Sequence, residues 1–381
     1  MIGAAKEDAM THWQYHNPVA VHFGAGVLET LPTVLRGRKA SIVTFPEAQG
    51  FGLLARLEKL VGASLVGVID QTQPNPDVDG LDALYCAFWR EHGESEVIVA
   101  VGGGSALDTA KALMVGTESG EFDALVTLLA TGKPFTPHRV KTLIAVPTTS
   151  GTGSEVTGWA TVWHRAAGKK YSLHLPETWP EAALVDPELT LSLPAGPTLA
   201  AGLDALSHAL ESIWNINANP VSDNHAVAAA RLVLATLPAL MKQMGDIELR
   251  RRMALAALTA GLAFSNTRTA LAHSISYDMT MHHGLPHGIA CSFTLGMVLQ
   301  RAIGKSAERD AVLARVFDVP LAEAPALLHD FLEGLGVSTR FESYGVTEAE
   351  SARMITNALD GVRGKNFIGV SSAATTTGAT A

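Results

Sequence analysis

The sequence predicts an α/β domain with a mostly parallel, Rossmann-like sheet at residues 1–190, followed by an all-α domain at 191–370. Two observations carry this. In the first half, short β-branched runs alternate with helical stretches, the rhythm of βαβ units. Beyond Asp186–Pro197 (D-P-E-L-T-L-S-L-P-A-G-P) strand signals nearly vanish and Ala/Leu-rich helical patterns take over. The predicted strands are Ala40–Phe45, Ser64–Ile69, Glu96–Val101 and Thr142–Val146. Between them, Phe51–Val61, Val78–His92 and Ala106–Val115 read as helices. In the second half, Leu199, Leu203, Leu206, Leu210 and Ile213 recur at three- and four-residue spacing, which makes Thr198–Trp214 an amphipathic helix. Met253–Phe264 is apolar but too short to span a bilayer, so it reads as a buried core helix. Residues 371–381 are polar and of low complexity, and are expected to be disordered.

A length of 381 residues suits one large or two medium domains. The net charge of −9, with no basic run, argues against a nucleic-acid partner. The N-terminus lacks the apolar stretch of a signal peptide, so no membrane association and a cytoplasmic location are expected. The two cysteines, Cys86 and Cys291, form no C-x-x-C motif and read as reduced thiols. Cys291 follows His287 by four residues; it is either a small buried hydrophobe or a group that approaches that histidine.

Two loops invite phosphate. Val97–Val101 runs into Gly102, Gly103, Gly104 and Ser105, and a helix then begins with Asp108 and Lys111 on its first two turns. Glycines let backbone N–H groups approach an anion, and a helix N-terminus favours it. The G-x-G-x-x-G fingerprint is absent, and a plain turn is the alternative. The second loop, P-T-T-S-G-T-G-S-E at Pro147–Glu155, carries Thr148, Thr149, Thr152 and Ser154 directly after a strand. It is either a further set of cofactor contacts or a self-capping polar loop. Two such loops at strand C-termini favour a dinucleotide in the crevice of the sheet.

Asp204 and His208 stand four residues apart on the predicted amphipathic helix, so they share a face. Either they form a hydrogen bond inside the core, or they bind a metal. His273 and His287 flank the segment H-S-I-S-Y-D-M-T-M-H-H-G-L-P-H, with His287 opening a new helix after its break. One carboxylate and three imidazoles suit a divalent first-row ion, Fe(II) or Zn(II).

With F-G-A-G at Phe23–Gly26, P-N-P at Pro74–Pro76, G-G-G-S-x-x-D-x-A-K at Gly102–Lys111, the loop at Pro147–Glu155, D-P at Asp186–Pro187 and G-L-D-A-L-S-H-A-L-E at Gly202–Glu211, the chain resembles the iron-containing (group III) alcohol dehydrogenases. The likeness spans nearly its whole length. It implies the fold shared with dehydroquinate synthase: an N-terminal dinucleotide domain, a helical domain, and an active site in the cleft between them. It further implies that Asp204, His208, His273 and His287 bind one divalent metal, usually Fe(II), that NAD(H) or NADP(H) is the hydride carrier, and that the protein is a homodimer. Many members carry a histidine where this chain has Tyr277, a residue suited to positioning a substrate oxygen. NAD-preferring relatives often carry an Asp where this chain has Phe45, which leaves NAD against NADP open.

Within the family, W-A-T-V-W at Trp159–Trp163, K-K-Y-S-L at Lys169–Leu173, E-S-I-W-N-I-N-A-N-P at Glu211–Pro220 and A-H-S-I-S-Y at Ala272–Tyr277 look most like phosphonoacetaldehyde reductases. That resemblance implies reduction of phosphonoacetaldehyde to 2-hydroxyethylphosphonate. Reductases of maleylacetate or a simple aldehyde, and a lyase like dehydroquinate synthase, are the alternatives. A phosphonate needs cationic partners, and Lys170, Arg268, His283, Arg363 and Lys365 are the candidates, each otherwise a solvated charge. Lys170 is also a candidate cofactor contact, and Tyr277 and His283 are the candidate catalytic side chains.

Overall fold

A computed structural model describes residues 12–370; the expected disordered tail at 371–381 lies outside them. The first half is built on a six-stranded, wholly parallel sheet of β1 (Ala20–Phe23), β2 (Ala40–Val43), β3 (Leu65–Ile69), β4 (Val97–Gly102), β7 (Thr142–Pro147) and β10 (Ala182–Val185), in the order β1-β10-β7-β4-β2-β3. A short antiparallel pair, β5 (Val115–Gly116) with β6 (Arg139–Val140), precedes β7, and a hairpin of β8 (Trp159–His164) and β9 (Lys169–His174) follows it. Helices α1 (Leu31–Leu35), α2 (Leu53–Val61), α3 (Val78–Glu91), α4 (Gly104–Leu113) and α5 (Asp123–Thr131) cover the two faces. Both faces are apolar: Ile98, Ala100 and Leu143 pack one way, and Val97, Val99 and Ile144 the other. Strands buried on both sides need no alternation of polarity, which explains the near-continuous V-I-V-A-V of β4.

The second half holds α6 (Ala195–Ile213), α7 (Pro220–Leu240), α8 (Ile247–Thr267), α9 (Leu271–His283), α10 (His287–Ser292), α11 (Leu295–Ala302), α12 (Ala307–Ala314), α13 (Ala324–Gly334) and α14 (Glu348–Asp360). Helix α6 runs through the middle and buries Leu203, Leu206, Leu210, Ile213 and Trp214 against α7 and α8. No described helix is long and apolar enough to cross a membrane.

The predicted strands and helices are present, with ends within three residues except that Met253–Phe264 is extended by six residues at its start into α8 (Ile247–Thr267). Strands β1 and β10 and the β8–β9 hairpin were not anticipated. β1 (A-V-H-F) and β10 (A-A-L-V) are four residues each, too short to show a period. The hairpin does alternate. Ala160, Val162 and Leu173 are buried beneath it, while Trp159, Thr161, Trp163, Lys170 and Ser172 face a cleft.

The seam between the halves is made by backbone in close approach. Gly153 has φ +60°, and a Cβ there would lie 2.6 Å from the Cα of Gly261 on α8. A Cβ on Gly151 would lie 2.6 Å from the carbonyl oxygen of Ala201 on α6. These two glycines of the second loop thus serve helix packing. Lys111 holds the same loop from the other side, its buried Nζ donating to Ser154 O and Oγ and to Trp159 O, each at 2.7 Å. Buried Arg250 ties the connecting segment to α6 through Leu193 O (3.2 Å) and Thr198 Oγ1 (3.0 Å).

Gly261→Ala should overpack this seam, cost about 1–3 kcal/mol and lower the thermal midpoint. Gly196, in the first turn of α6, has open space around it. Gly196→Ala should leave the midpoint unchanged or raise it slightly. Equal effects at the two positions in differential scanning calorimetry would show that the seam is not tightly packed.

Candidate active site

Asp204 and His208 share one face of α6, as their spacing requires, and α9 and α10 bring His273 and His287 to it. Each imidazole turns Nε2 towards a single atom, Asp204 Oδ1: His273 at 3.5 Å, His208 at 3.8 Å and His287 at 3.9 Å. Asp204 is 3% exposed, yet its Oδ1 accepts no hydrogen bond, and neither does His273 Nε2 engage one. A simple Asp–His hydrogen bond in the core, the alternative for this pair, is therefore not what α6 forms. Burial pushes His208 down to about 4 and His287 well below the usual imidazole range, so both are neutral at neutral pH with lone pairs free. A buried carboxylate oxygen and imidazole nitrogens without partners are a fit for a divalent cation.

Local packing fixes these side chains. His208 is stacked between Phe264, at a centroid distance of 4.0 Å, and His273, at 4.6 Å. A Cβ on Gly288 would lie 1.8 Å from the carbonyl oxygen of Ala200, so glycine alone lets α10 seat His287 against α6. Glu211, to which the sequence-based expectation gave no role, orients His273. Its Oε2 lies 2.5 Å from His273 Nδ1, and its Oε1 accepts the backbone N–H groups of Ala272 (2.6 Å) and His273 (3.2 Å). Against the pull of burial, His273 holds the Glu211 carboxyl below its ordinary range, so it is ionised. Against the pull of burial, the neighbouring Cys291 and Glu211 hold His273 well above the usual imidazole range; the carboxylate keeps the proton on Nδ1, so the Nε2 proton is the one an entering cation would displace. The available signal was position: Glu211 is seven residues after Asp204 on the same helix face.

The imidazoles form the floor of a cavity of about 310 Å³ that also contains Gly104, Ser105, Asp108, Thr152, Ser154 and Lys170. A second cavity, about 460 Å³, lies on the other side of the glycine turn and is lined by Phe45, Gly103, Thr148 and Thr149. The expected cofactor residues thus divide between two cavities that meet at Gly103–Gly104, between the C-terminal ends of β2 and β4. There the strand order reverses direction, which is where open α/β sheets take ligands. Gly102 lines neither cavity, since a Cβ there would meet Ala106 and Phe45. Asp108 accepts Ser154 Oγ–H (3.0 Å) and Thr161 N–H (2.9 Å), and so braces the loops as well as facing the cavity.

Three of the five cationic candidates line the first cavity. Lys170 lies over the rings of Tyr277 (4.5 Å) and Trp163 (5.1 Å). Arg268, with φ +67° at the end of α8, lies 5.1 Å from the Trp159 ring, and Arg363 donates to Thr269 Oγ1 and to Ser172 Oγ (2.8 Å). None of the three is within salt-bridge distance of a described carboxylate. The other two candidates are elsewhere. His283 sits at the C-terminal end of α9, 3.2 Å from Glu350, and Lys365 is exposed; neither lines the cavity. His283 is thereby corrected as a catalytic candidate, because it ends α9 ten residues beyond His273, about 15 Å further along the helix. Tyr277 is also not a lining residue. It backs Lys170 and Arg363 (5.3 Å), and burial raises its hydroxyl above the usual range, further from proton exchange at neutral pH.

The domain described as iron-containing alcohol dehydrogenase matches residues 18–187, and the C-terminal domain of the Fe-containing alcohol dehydrogenase family matches residues 198–375. The chain belongs to the iron-containing alcohol dehydrogenase family. It is 32% identical over 360 residues to the NAD-dependent methanol dehydrogenase of Bacillus methanolicus, covering 91% of this chain and 93% of that protein. It is 29% identical to the sulfoacetaldehyde reductase of Bilophila wadsworthia over 82% of each. The structure of sulfoacetaldehyde reductase from Bifidobacterium kashiwanohense in complex with NAD+ superimposes with a TM-score of 0.86, at 30% identity, over 94% of both chains. As a member of the iron-containing alcohol dehydrogenases, this protein is an alcohol/aldehyde oxidoreductase.

Glu211→Gln tests the orienting role. Its amide N–H would face His273 Nδ1 and force the proton to Nε2, against the ion. Metal affinity, measured by chelator competition, should fall roughly 10–100-fold with the circular dichroism spectrum unchanged. Unaltered affinity would remove Glu211 from the site.

Proposed function

We propose that this protein reduces phosphonoacetaldehyde to 2-hydroxyethylphosphonate with a nicotinamide dinucleotide. The observation that carries the reading is one cavity lined both by unpaired cations and by the metal-type cluster. Lys170, Arg268 and Arg363 line it without a described carboxylate partner, and Asp204, His208, His273 and His287 line it as well. A short aldehyde with an anionic headgroup satisfies both at once. When bound, the metal supplies Lewis acidity towards the aldehyde oxygen and the dinucleotide supplies a hydride.

The chain's own residues do the rest. Asp204 and the three histidines would hold the ion, and Glu211 fixes His273 in the ligating tautomer. Gly103, Gly104 and Ser105 offer the N-terminus of α4 to a pyrophosphate. Thr152 and Ser154 border the inner part of that path, and Thr148 and Thr149 the outer part. Phe45 lines the outer cavity, and Arg56 there is bound to Glu29 at 2.7 Å. The likeness to an NAD+-bound reductase supports NAD(H), while Phe45 has no charge to repel the extra phosphate of NADP(H). Tyr277 acts as the platform for the cations, a positioning role, and Trp159 and Trp163 wall the cavity from water. A homodimer in the cytoplasm belongs to the same reading.

A second reading, reduction of sulfoacetaldehyde, is favoured by the two similar reductases of that name. Steady-state assays with NADH and with NADPH on phosphonoacetaldehyde, sulfoacetaldehyde and propanal separate these. The phosphonate reading expects the highest kcat/KM on phosphonoacetaldehyde. A preference for the sulfonate would transfer the assignment, and a preference for propanal would end both.

Burial, reinforced by Arg363, lowers Lys170 to about 8. It is cationic below that pH and neutral above, so KM for the anionic aldehyde should rise as pH climbs from 7 to 9. Lys170→Arg, charged throughout, should flatten that rise, and Lys170→Ala should raise KM at pH 7 roughly 10–100-fold. A pH profile shared by wild type and Lys170→Arg would point to another group.

Tyr277→Phe keeps the ring beneath the cations and should retain kcat within about three-fold, a change near 0.6 kcal/mol in barrier. Tyr277→Ala removes the platform and should raise KM. Loss of kcat in Tyr277→Phe would restore a proton-transfer role to the hydroxyl.

A further inference from the structure

The junction between α8 and α9 has a backbone conformation that suits glycine and is occupied by arginine. Arg268 closes α8 at φ +67° and ψ 176°. That region is essentially confined to glycine, because a Cβ there crowds the adjoining peptide groups. Arg36 also has positive φ, but at φ +57° and ψ 33° it is an ordinary left-handed helix cap. Arg268 is the strained case of the two.

Three side-chain amides hold the turn. The carbonyl oxygens of Thr267, Arg268 and Thr269 accept, in order, Asn217 Nδ2 (3.2 Å), Asn215 Nδ2 (3.1 Å) and Asn366 Nδ2 (2.9 Å). Asn215 is 2% exposed, and a backbone bridge to Phe367 ties it to the segment that carries Asn366. Asn215 and Asn217 belong to E-S-I-W-N-I-N-A-N-P at Glu211–Pro220, of which the metal-type cluster uses Glu211 alone.

The turn sets two consecutive side chains on the active-site cavity, since Arg268 and Thr269 both line it. The Arg268 guanidinium lies 5.1 Å from the Trp159 ring, and Thr269 Oγ1 accepts from Arg363. Arg268 is exposed, and an arginine kept for solubility could stand on any relaxed helical turn. Glycine would meet this turn without strain; what glycine lacks is the guanidinium.

We propose that Arg268 sets the preference of this enzyme for anionic over neutral aldehydes, and that Asn215, Asn217 and Asn366 are positioning residues that hold its backbone in the strained turn. The inference rests on the anionic-substrate reading above. A guanidinium is charged at every working pH and donates two parallel N–H groups to a pair of phosphonate or sulfonate oxygens. Those contacts offset the strain only when the fork is delivered at a fixed angle, which is what the three amides secure.

Arg268→Gly and Arg268→Ala both remove the guanidinium, and only the glycine removes the strain. In differential scanning calorimetry Arg268→Gly should melt roughly 1–4 °C above Arg268→Ala. Both should lower, by roughly 10–100-fold, the ratio of kcat/KM on the better of phosphonoacetaldehyde and sulfoacetaldehyde to that on propanal. Asn215→Ala should lower the same ratio in wild type and change it no further in Arg268→Gly, the mark of a residue that acts through Arg268. If buried Asn215→Ala does not fold, the exposed Asn217→Ala takes its place in the cycle. Equal melting of the glycine and alanine variants would show that the turn is unstrained. A further fall on adding the asparagine variant to Arg268→Gly would overturn the positioning role. An unchanged ratio in Arg268→Gly, with wild type still preferring an anionic aldehyde, would overturn the specificity role and leave the substrate reading standing. Wild type preferring propanal would overturn that reading, and this inference with it.

Discussion

Asp204 Oδ1 lies within reach of three imidazole nitrogens in the middle of the molecule, accepts no hydrogen bond, and is shielded from water. A carboxylate oxygen in that position must be compensated by positive charge. The surroundings are arranged around this demand. Helix α6 presents Asp204, His208 and Glu211 on one face; α9 and α10 complete the ring; and Phe264 and Gly288 fix the rings from behind. The polar cluster is therefore a preorganised binding site whose cohesion is completed by a ligand.

The α/β half and the helical half meet at this cluster, and their interface is mostly backbone against backbone. Gly151 and Gly153 allow the second loop to lie directly on α6 and α8, and Lys111 pins the loop from the sheet side. Asp186 does the corresponding work at the edge of the sheet, accepting N–H groups from Gly26, Leu28 and Glu188. Several motifs that identify the family by sequence are thus fixtures of assembly. A Cβ or a lost donor at those points would shift one half against the other.

The buried strands, the amphipathic α6 and the metal-type face on it were legible because each follows from a period: continuous apolar runs for strands covered on both sides, and three- and four-residue steps for helices. Convergence of His273 and His287 on Asp204 was not a matter of period, and came from the resemblance. Glu211 was hidden because its partner, His273, is on another helix, although its step from Asp204 was visible. His283 looked equivalent to its neighbours in H-H-G-L-P-H, yet it lies at the far end of α9 from His273, beside Glu350. Tyr277 was read for its hydroxyl, while its ring face is what meets Lys170 and Arg363. The hairpin was the largest omission, since its motif was visible but its projection over the cleft depends on packing against α4.

That hairpin has a further consequence. Lys170 belongs to the α/β half, while Arg268 and Arg363 belong to the helical half, and Arg363 already reaches across to Ser172. On the proposed reading, an anionic headgroup gripped by all three would span the joint and act as an adhesive between the two halves. Its binding energy can then go into holding the cleft shut rather than into affinity alone. Under that coupling, a bare aldehyde of the same length would forfeit turnover along with occupancy, and discrimination between substrates would lie in how firmly the two halves are drawn together.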